Sequence, residues 1–296
     1  MEAYTDFAEV YDELMDDTPY EVWCEFLMGV FRRYGVDELS GRRNCEESDS
    51  DVRNENREKS REQTEKNLAQ ERNTVLDLGC GTGTLTELLA RKGYDMIGVD
   101  NAEEMLRIAM EKRARSGLDI LYLLQDMREL DLYGTVGAVV SVCDSLNYLL
   151  AEEDMVQTFK RVNNYLYPQG IFIFDFNTVY KYAEVIGDAT IAENREDCSF
   201  IWENYYHEEQ EINEYDLTVF VAEGTLFRRF QEVHYQRGYR LEQMKAFLSK
   251  AGLEFLEALD ADTHGEVTEK SERIYVAARK GAETMANQSV VSDKEI

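Results

Sequence analysis

Apolar residues along the chain fall into short continuous runs that alternate with stripes at helical spacing. Val75, Leu76 and Leu78 form the first such run and lead directly into a glycine-rich turn. Residues 84–90 then carry leucines on one helical face and end before Gly93, which is typical of a helix and its stop. Later apolar runs lie at residues 96–100, 120–124, 137–142 and 171–175. Runs of this length, separated by helices, predict buried parallel strands of an open α/β sheet.

The alternation of strands and helices ends after the fifth predicted strand. Three extended segments follow, separated by short polar turns, at residues 200–206, 211–220 and 226–235. Consecutive strands with short connections predict an antiparallel sheet. A helical stripe at residues 241–250 and two final strands at 255–259 and 273–278 complete the pattern.

The two chain ends and one internal segment lie outside this alternation. Residues 1 to about 35 carry aromatic and apolar positions at three- and four-residue steps, interrupted near Pro19, and predict helices. Residues 41–73 contain few apolar side chains, so they cannot bury enough surface to order themselves and predict a disordered insertion. A regulatory or partner-binding segment is the alternative interpretation. Residues after Gly281 are small and polar, and we expect them to fray.

The charge and cysteine content narrow the classes of function. The 296 residues include 60 acidic and 32 basic side chains, for a net charge of −28. Such a field repels nucleic acid and anionic membranes. No apolar run approaches the roughly 18 residues of a membrane-spanning helix, and the five cysteines form no C-x-x-C pair. We therefore expect a cytoplasmic protein with reduced thiols, without a metal site and without a membrane or nucleic-acid partner.

The glycine-rich turn identifies the class of ligand more closely. Asp77 precedes Gly79, Gly81 and Gly83 at alternate positions, which matches neither G-x-G-x-x-G nor the lysine-containing P-loop. Asp100 ends the next strand, where a carboxylate can accept both hydroxyls of a ribose. This combination resembles the cofactor loop of the class I S-adenosylmethionine-dependent methyltransferases.

The resemblance implies a Rossmann-like α/β fold with a doubly wound, mostly parallel seven-stranded sheet. It further implies an N-terminal helical lid, a small antiparallel β cap inserted after the fifth strand, and a final pair of strands at the sheet edge. The corresponding parts are a lid at residues 1–40, an insertion at 41–73, the methyltransferase domain at 74–180 and 238–281, the cap or substrate region at 181–237 and a disordered tail at 282–296.

Further residues extend the resemblance to small-molecule members such as the glycine and sugar-amine N-methyltransferases. The N-terminal pattern that contains Tyr11 and Trp23 is similar to their lid, whose aromatic residues line the methionine end of the cofactor. Asp126 and Met127 follow the third strand, where relatives bind the adenine. The resemblance assigns the cofactor site to Tyr11, Trp23, Asp77, Gly79, Cys80, Gly81, Gly83, Asp100, Asn101, Met105, Gln125, Asp126, Met127 and Cys143.

Five of these assignments have a structural alternative. Tyr11 and Trp23 would then be core aromatics, Met105 and Cys143 core residues, and Asp126 a solvated loop acid. The sequence also departs from the glycine N-methyltransferase branch, where an arginine just before the central strand binds the cofactor carboxylate. Thr74 occupies that neighbourhood here.

Methyl transfer to a small molecule is the predicted reaction. In-line transfer needs two substrates held in contact and no covalent enzyme intermediate. The sequence offers no convincing pair of nucleophile and base, and the candidates for contact with the acceptor or for proton removal are His234, Tyr148 and Asn147. Methylation of protein or tRNA, a non-catalytic protein regulated by S-adenosylmethionine, and a nicotinamide dehydrogenase are the alternatives.

Overall fold

The computed structural model describes residues 4–36 and 71–281. The predicted insertion at 41–73 lies outside these ranges up to residue 70, and the predicted tail at 282–296 lies outside them entirely.

The described helices and strands alternate as the hydrophobic pattern predicts. The helices are α1 (Ala8–Leu14), α2 (Tyr20–Tyr34), α3 (Thr84–Arg91), α4 (Glu103–Ser116), α5 (Glu152–Tyr165) and α6 (Leu241–Lys250). The first five strands are β1 (Thr74–Leu78), β2 (Asp95–Asp100), β3 (Ile120–Leu124), β4 (Val136–Ser141) and β5 (Leu166–Asn177). The remaining strands are β6 (Thr190–Asn194), β7 (Cys198–His207), β8 (Ile212–Glu223), β9 (Leu226–Arg237), β10 (Leu253–Asp260) and β11 (Arg273–Lys280).

The strands form a large sheet and a smaller one. The seven-stranded sheet has the order β10-β11-β5-β4-β1-β2-β3, in which β1 to β5 are parallel and β11 and β10 pair antiparallel at one edge. The order reverses at β1, so a crevice opens beyond the carboxyl ends of the central strands. The four-stranded sheet β6-β7-β8-β9 is antiparallel throughout. The predicted fold class is therefore confirmed.

The core explains why the central strands read as continuous apolar runs. Every residue of β1 and β4 is buried, because helices cover both faces of the sheet. Phe159 of α5 and Phe247 of α6 pack on one face. Leu27 and Phe31 of α2 and Leu89 of α3 pack on the other.

The cap sheet departs from its predicted outline in one strand. The three predicted segments correspond to β7, β8 and β9, but β6 adds a fourth strand along β7. All five residues of β6 are exposed, so the strand carries no alternating apolar pattern that could reveal it. Within β5, the pairing with β4 shifts register near Gln169, which has a φ of +69°.

The cap is joined to the N-terminal helices through a small core of its own. Val10 of α1 packs with Tyr215, Leu217 and Val219 of β8. Because α1 also packs against α4 of the large domain, the cap and α1 together cover the carboxyl ends of the central strands. Within the described ranges, no helix is long and apolar enough to cross a membrane.

Candidate active site

A cavity of about 780 Å³ lies beyond the carboxyl ends of β1 to β4. The glycine turn after β1 forms one side, and the residues after β2, β3 and β4 continue around it. Residues 4–6 and α1 cover the opposite side. The cavity therefore lies at the switch point of the sheet, where ligands of open α/β folds bind.

The three glycines of the turn serve different purposes. All have positive φ angles, which only glycine adopts readily. A Cβ on Gly79 would come within 2.6 Å of Ser145, and one on Gly83 within 2.3 Å of the Tyr122 hydroxyl, so both are required by packing. A Cβ on Gly81 would have no neighbour within 4 Å, and Gly81 lines the cavity. Gly81 thus leaves open space in which a ligand can approach the backbone.

Asp100 connects the end of β2 to this turn. Its carboxylate accepts hydrogen bonds from the Gly81 N–H at 2.8 Å and the Ala102 N–H at 2.9 Å. Burial raises the pKa of this group above its ordinary value, although the backbone hydrogen bonds oppose the shift. A carboxylate has about four acceptor positions, so Asp100 can still accept from two ligand hydroxyls.

Asp77 lies beneath the turn and is almost fully buried. Its Oδ2 accepts a hydrogen bond of 2.6 Å from the Thr86 hydroxyl, which ties β1 to α3. Burial raises the pKa of Asp77 to about 7, and the Thr86 hydrogen bond offsets part of that effect. Because Asp77 also lines the cavity, its protonation state affects the charge that a ligand encounters.

Asp126, after β3, is bound by an arginine that the sequence pattern did not single out. The backbone N–H and the guanidinium of Arg128 both donate to its carboxylate, at 2.8 and 2.6 Å. Hydrogen bonds from the Arg128 side chain lower the pKa of Asp126. The same guanidinium also pairs with Asp154 of α5 at 3.1 Å. Asp126 is therefore held in place at the cavity wall as an ionised group.

A cluster of hydroxyl groups lies at the other end of the cavity. The Tyr148 hydroxyl is 2.7 Å from that of Tyr4, 2.9 Å from that of Tyr215 and 3.0 Å from Nδ1 of His234. Tyr4 and Tyr148 line the cavity, whereas His234 lies behind them with its ring stacked on Tyr215. Burial raises the pKa of Tyr148 well above its ordinary value, so the phenol is neutral.

Glu232 lies behind this cluster on the same strand as His234. One carboxylate oxygen is 3.4 Å from Nε2 of His234. Burial opposes ionisation of Glu232, but hydrogen bonds from His234 and from residues 4–7 outweigh it and lower its pKa to about 2. A charged carboxylate thus lies beside the imidazole of His234, and that imidazole is hydrogen-bonded to the Tyr148 phenol at the cavity.

A buried charge network holds the loop after β4. Asp175 accepts hydrogen bonds from the N–H groups of Cys143 and Asp144, at 3.0 and 2.8 Å. Both of those residues have positive φ angles, so the carboxylate stabilises a strained turn that brings Cys143 to the cavity. Arg273 pairs with Asp144 at 2.8 Å and lies 5.7 Å from the centre of the Trp23 ring.

Comparison with known proteins agrees with this geometry. A family model described as a methyltransferase domain matches residues 75–170, which span β1 to the turn in β5. The putative methyltransferase YqeM of Bacillus subtilis (strain 168) is 36% identical over 279 residues, which cover 94% of this chain and 97% of that protein. The chain belongs to the class I S-adenosylmethionine-dependent methyltransferases.

Solved structures support the same assignment. An S-adenosylmethionine-dependent methyltransferase from Clostridium acetobutylicum ATCC 824 superposes with a TM-score of 0.76 at 27% identity, over 95% of this chain and all of that one. The sugar N-methyltransferase KedS8 from Streptoalloteichus sp. ATCC 53650 shares the fold, with a TM-score of 0.58 at 18% identity over 83% of this chain and 100% of that one. The cofactor of this methyltransferase is S-adenosylmethionine.

Most residues assigned to the methyltransferase site by sequence lie around one cavity. Those that line it are Tyr11, Asp77, Gly79, Cys80, Gly81, Asp100, Asn101, Met105, Gln125, Asp126, Met127, Cys143 and Tyr148. Gly83 lies behind the turn against Tyr122, and Trp23 lines a separate depression of about 350 Å³ with Arg273. Asn147 is buried, and its amide joins the backbone of Asn177 to that of Arg237.

Several residues of the methyltransferase cavity were not found by sequence reasoning. Tyr4 continues the stripe of Phe7 and Tyr11 one turn toward the N-terminus, so its spacing could have indicated it. Arg128 and Ser145 line the cavity but carry no motif. Glu232 could not be distinguished by sequence from the many other acidic residues of the cap.

Proposed function

We propose that this methyltransferase acts on a small-molecule acceptor that binds beside the Tyr4 and Tyr148 hydroxyls. The observation that carries the proposal is the cover formed by residues 4–6 and α1 over the cavity. A cavity of about 780 Å³ lies within the roughly 300–1,000 Å³ typical of small-ligand sites. It offers room for a nucleoside cofactor and a compact second substrate.

The residues around the glycine turn fit the cofactor. Gly81 provides open space next to the backbone, Asp100 provides free acceptor positions for ribose hydroxyls, and Asp126 and Met127 lie where the adenine would be held. When bound, S-adenosylmethionine supplies a methyl group activated by a positively charged sulfonium. The ring of Tyr11 and the neighbouring carboxylates favour a cation at this position.

We assign the acceptor-side chemistry to Tyr148 and His234. Tyr148 contacts the acceptor, and its hydroxyl shares a hydrogen bond with Nδ1 of His234. An acceptor that must lose a proton can pass it to the Tyr148 oxygen while the Tyr148 proton moves to His234. Glu232 stabilises the resulting imidazolium, because its carboxylate lies beside Nε2. Asn147 holds the loop that carries Tyr148 and does not reach the cavity.

The proposed division of the chain follows from the same arrangement. Residues 1–40 act as the lid, 181–237 as the substrate cap, and 74–180 with 238–281 as the methyltransferase domain. The insertion at 41–73, of which residues 41–70 lie outside the described ranges, has no assigned role.

Nucleic acid is a poor acceptor for this site on electrostatic grounds. Arg128 is the only cationic side chain among the described residues that line the cavity, and it is paired with Asp126 and Asp154. The carboxylates in the lining belong to Asp6, Glu9, Asp77, Asp100, Glu103, Glu104 and Asp126. A phosphate backbone would need cationic partners that this surface does not provide.

A panel assay tests the proposal. Purified protein is incubated with S-adenosylmethionine and with pooled small amines, alcohols and thiols, and in parallel with tRNA and with protein extract. Formation of S-adenosylhomocysteine only with a small-molecule pool is the expected result. Turnover only with tRNA or protein would contradict it. Cofactor binding by calorimetry without turnover in any arm would indicate a regulatory binding protein.

A further inference from the structure

The carboxylate of Glu232 is the shared hydrogen-bond acceptor of the segment formed by residues 4–7, which we call the N-terminal strap. It accepts from the N–H of Tyr4 at 2.7 Å, the N–H of Thr5 at 3.0 Å and the N–H of Phe7 at 3.0 Å. The Thr5 hydroxyl donates to the same group at 2.9 Å. Only 4% of the Glu232 side chain is exposed. One buried side chain from the cap therefore binds four hydrogen-bond donors of the strap.

Besides these hydrogen bonds, the strap is held by ring contacts of Tyr4 with Tyr148 and His234, at 5.7 and 5.1 Å between ring centres. Tyr4 has a φ of +61°, which is unfavourable for a residue with a side chain and persists only when surrounding contacts enforce it. At the outer surface, Arg228 of the cap pairs with Asp6 at 3.0 Å. That pair is partly exposed and therefore weak, whereas hydrogen bonds to a buried charge are strong.

The strap in turn completes the acceptor end of the cavity. Tyr4 places its hydroxyl 2.7 Å from that of Tyr148, and its ring lies 5.1 Å from that of His234. Tyr4, Thr5 and Asp6 all line the cavity. Glu232 itself does not line the cavity, so any influence it has on the reaction passes through the strap or through His234.

We propose that Glu232 is a positioning residue that docks the N-terminal strap across the cavity and thereby completes the acceptor site. The inference rests on the proposed function, because it takes the Tyr4 and Tyr148 hydroxyls as the acceptor end. It adds that the strap and the cap form the acceptor site only when the Glu232 carboxylate binds the strap. Cofactor binding should be largely independent of this docking, because the glycine turn and Asp100 lie on the large sheet.

The cap provides a matched control. Glu214 of β8 also pairs with a histidine, since its carboxylate is 2.7 Å from Nε2 of His207, and it accepts from the Tyr235 hydroxyl at 3.1 Å. This second pair lies on the exposed face of the same sheet and touches no residue of the strap. Glu232→Gln and Glu214→Gln therefore remove the same charge beside the same residue type, and only the first removes a charge that binds the strap.

Hydrogen exchange tests the docking step without any methyl acceptor. In the protein saturated with S-adenosylhomocysteine, Glu232→Gln should speed amide exchange in peptides covering residues 4–14 by about tenfold, because hydrogen bonds to a charged group are lost. Glu214→Gln should leave these peptides unchanged. Thr5→Val removes one surface donor to Glu232 and should speed exchange by a smaller factor. This variant tests the docking if Glu232→Gln does not fold. Unchanged exchange in both strap variants overturns the docking.

Kinetics test the positioning role. With the acceptor of highest turnover from the small-molecule panel, Glu232→Gln should raise the acceptor KM by about tenfold while the cofactor Kd stays within about twofold. Glu232→Asp should recover part of the acceptor affinity, since it restores the charge. Faster exchange of the strap with an unchanged acceptor KM would overturn the positioning role. If no pool supports turnover, the proposed function fails, and the exchange result still decides whether Glu232 docks the strap.

Discussion

The proposed cofactor half and the proposed acceptor half of the cavity are built in different ways. The cofactor half comes from the ends of β1, β2 and β3, and its carboxylates, Asp77, Asp100 and Asp126, follow one another along the chain. The acceptor half combines Tyr4, Tyr148 and, behind them, His234, which come from three distant parts of the sequence. The first half is a local consequence of a parallel sheet, and the second exists only after the lid and the cap have packed together.

The two halves also differ in their electrostatics. Three carboxylates line the proposed cofactor half. Backbone N–H groups hold Asp100, Arg128 holds Asp126, and the Thr86 hydroxyl holds Asp77. Neutral hydroxyls face the acceptor half, and the charged Glu232 lies behind them. This difference suits a cationic cofactor and an acceptor that must present an uncharged lone pair. It also means that each half can be perturbed without disturbing the other.

Loss of the Tyr148 hydroxyl should give the largest effect, confined to the acceptor half. Tyr148→Phe removes the contact with His234 and the route for the acceptor proton, so kcat should fall by about 10²–10⁴-fold. The cofactor Kd, measured by calorimetry, should not change. Tyr205→Phe, at an exposed position of the cap, is the control and should behave as the wild type. A Tyr148→Phe enzyme with normal kcat would remove Tyr148 and His234 from the proposed chemistry.

Loss of the Asp100 carboxylate should affect the cofactor half. Asp100→Ala removes the proposed ribose contacts and leaves two backbone N–H groups without their acceptor, so S-adenosylmethionine binding should weaken by about 1–3 kcal/mol. Calorimetric titration measures this loss. Asp95→Ala, at the opposite end of β2 and bonded to the Thr74 hydroxyl, should bind the cofactor normally. Equal affinity in the two variants would place the ribose elsewhere.

Substitution of Arg128 tests whether cofactor binding requires the hydrogen bonds that hold Asp126 in place. Arg128→Ala releases the Asp126 carboxylate, and we expect cofactor affinity to fall by about two- to tenfold, the value of one or two ordinary hydrogen bonds. Asp154→Ala removes the other partner of Arg128 and leaves Asp126 bound, so it should change affinity less. Tighter binding by Arg128→Ala would show instead that the arginine competes with the adenine.

Asp77 should produce an effect of a different kind, a pH dependence of stability rather than a change in binding or turnover. Burial raises its folded-state pKa to about 7, above its ordinary value of about 3.8. The stability from the protonated form is therefore present below pH 3.8 and is lost as the pH rises to about 7. Asp77→Asn keeps an acceptor for Thr86 without this loss. The melting temperature of Asp77→Asn minus that of the wild type should therefore increase between pH 5 and pH 7 and stay constant above pH 7. A difference that does not change with pH would contradict the raised pKa of Asp77.

The sequence was informative where short-range spacing determines structure. The Ile120–Leu124 strand and the Leu241–Lys250 helix were predicted with their observed bounds. Asp100 reaches the glycine turn because parallel strands end at the same edge of the sheet, which is a general property of the fold. The partner of Asp126 was missed, since a contact between Arg128 and its neighbour two positions earlier leaves no periodic signal.

The acceptor half was harder to predict, because it depends on which face of a strand meets another element. The two Glu–His pairs of the cap illustrate this limit. Glu232 and His234 point inward on β9, whereas Glu214 of β8 and His207 of β7 meet on the outer face. A shift of one residue in register would exchange the faces. Trp23 is a similar case. The resemblance assigned it to the cofactor site, but its side chain lines a separate depression beside Arg273.

The buried network of Asp144, Asp175 and Arg273 has a consequence for the evolution of this family. Removing one member of such a network leaves a buried charge unpaired, which costs about 3–5 kcal/mol. Arg273 also begins the strand β11, far along the chain from the two acids that it pairs. Single substitutions at these positions should therefore be eliminated by selection, and lineages that have lost one of the three charges should have replaced its partners as well.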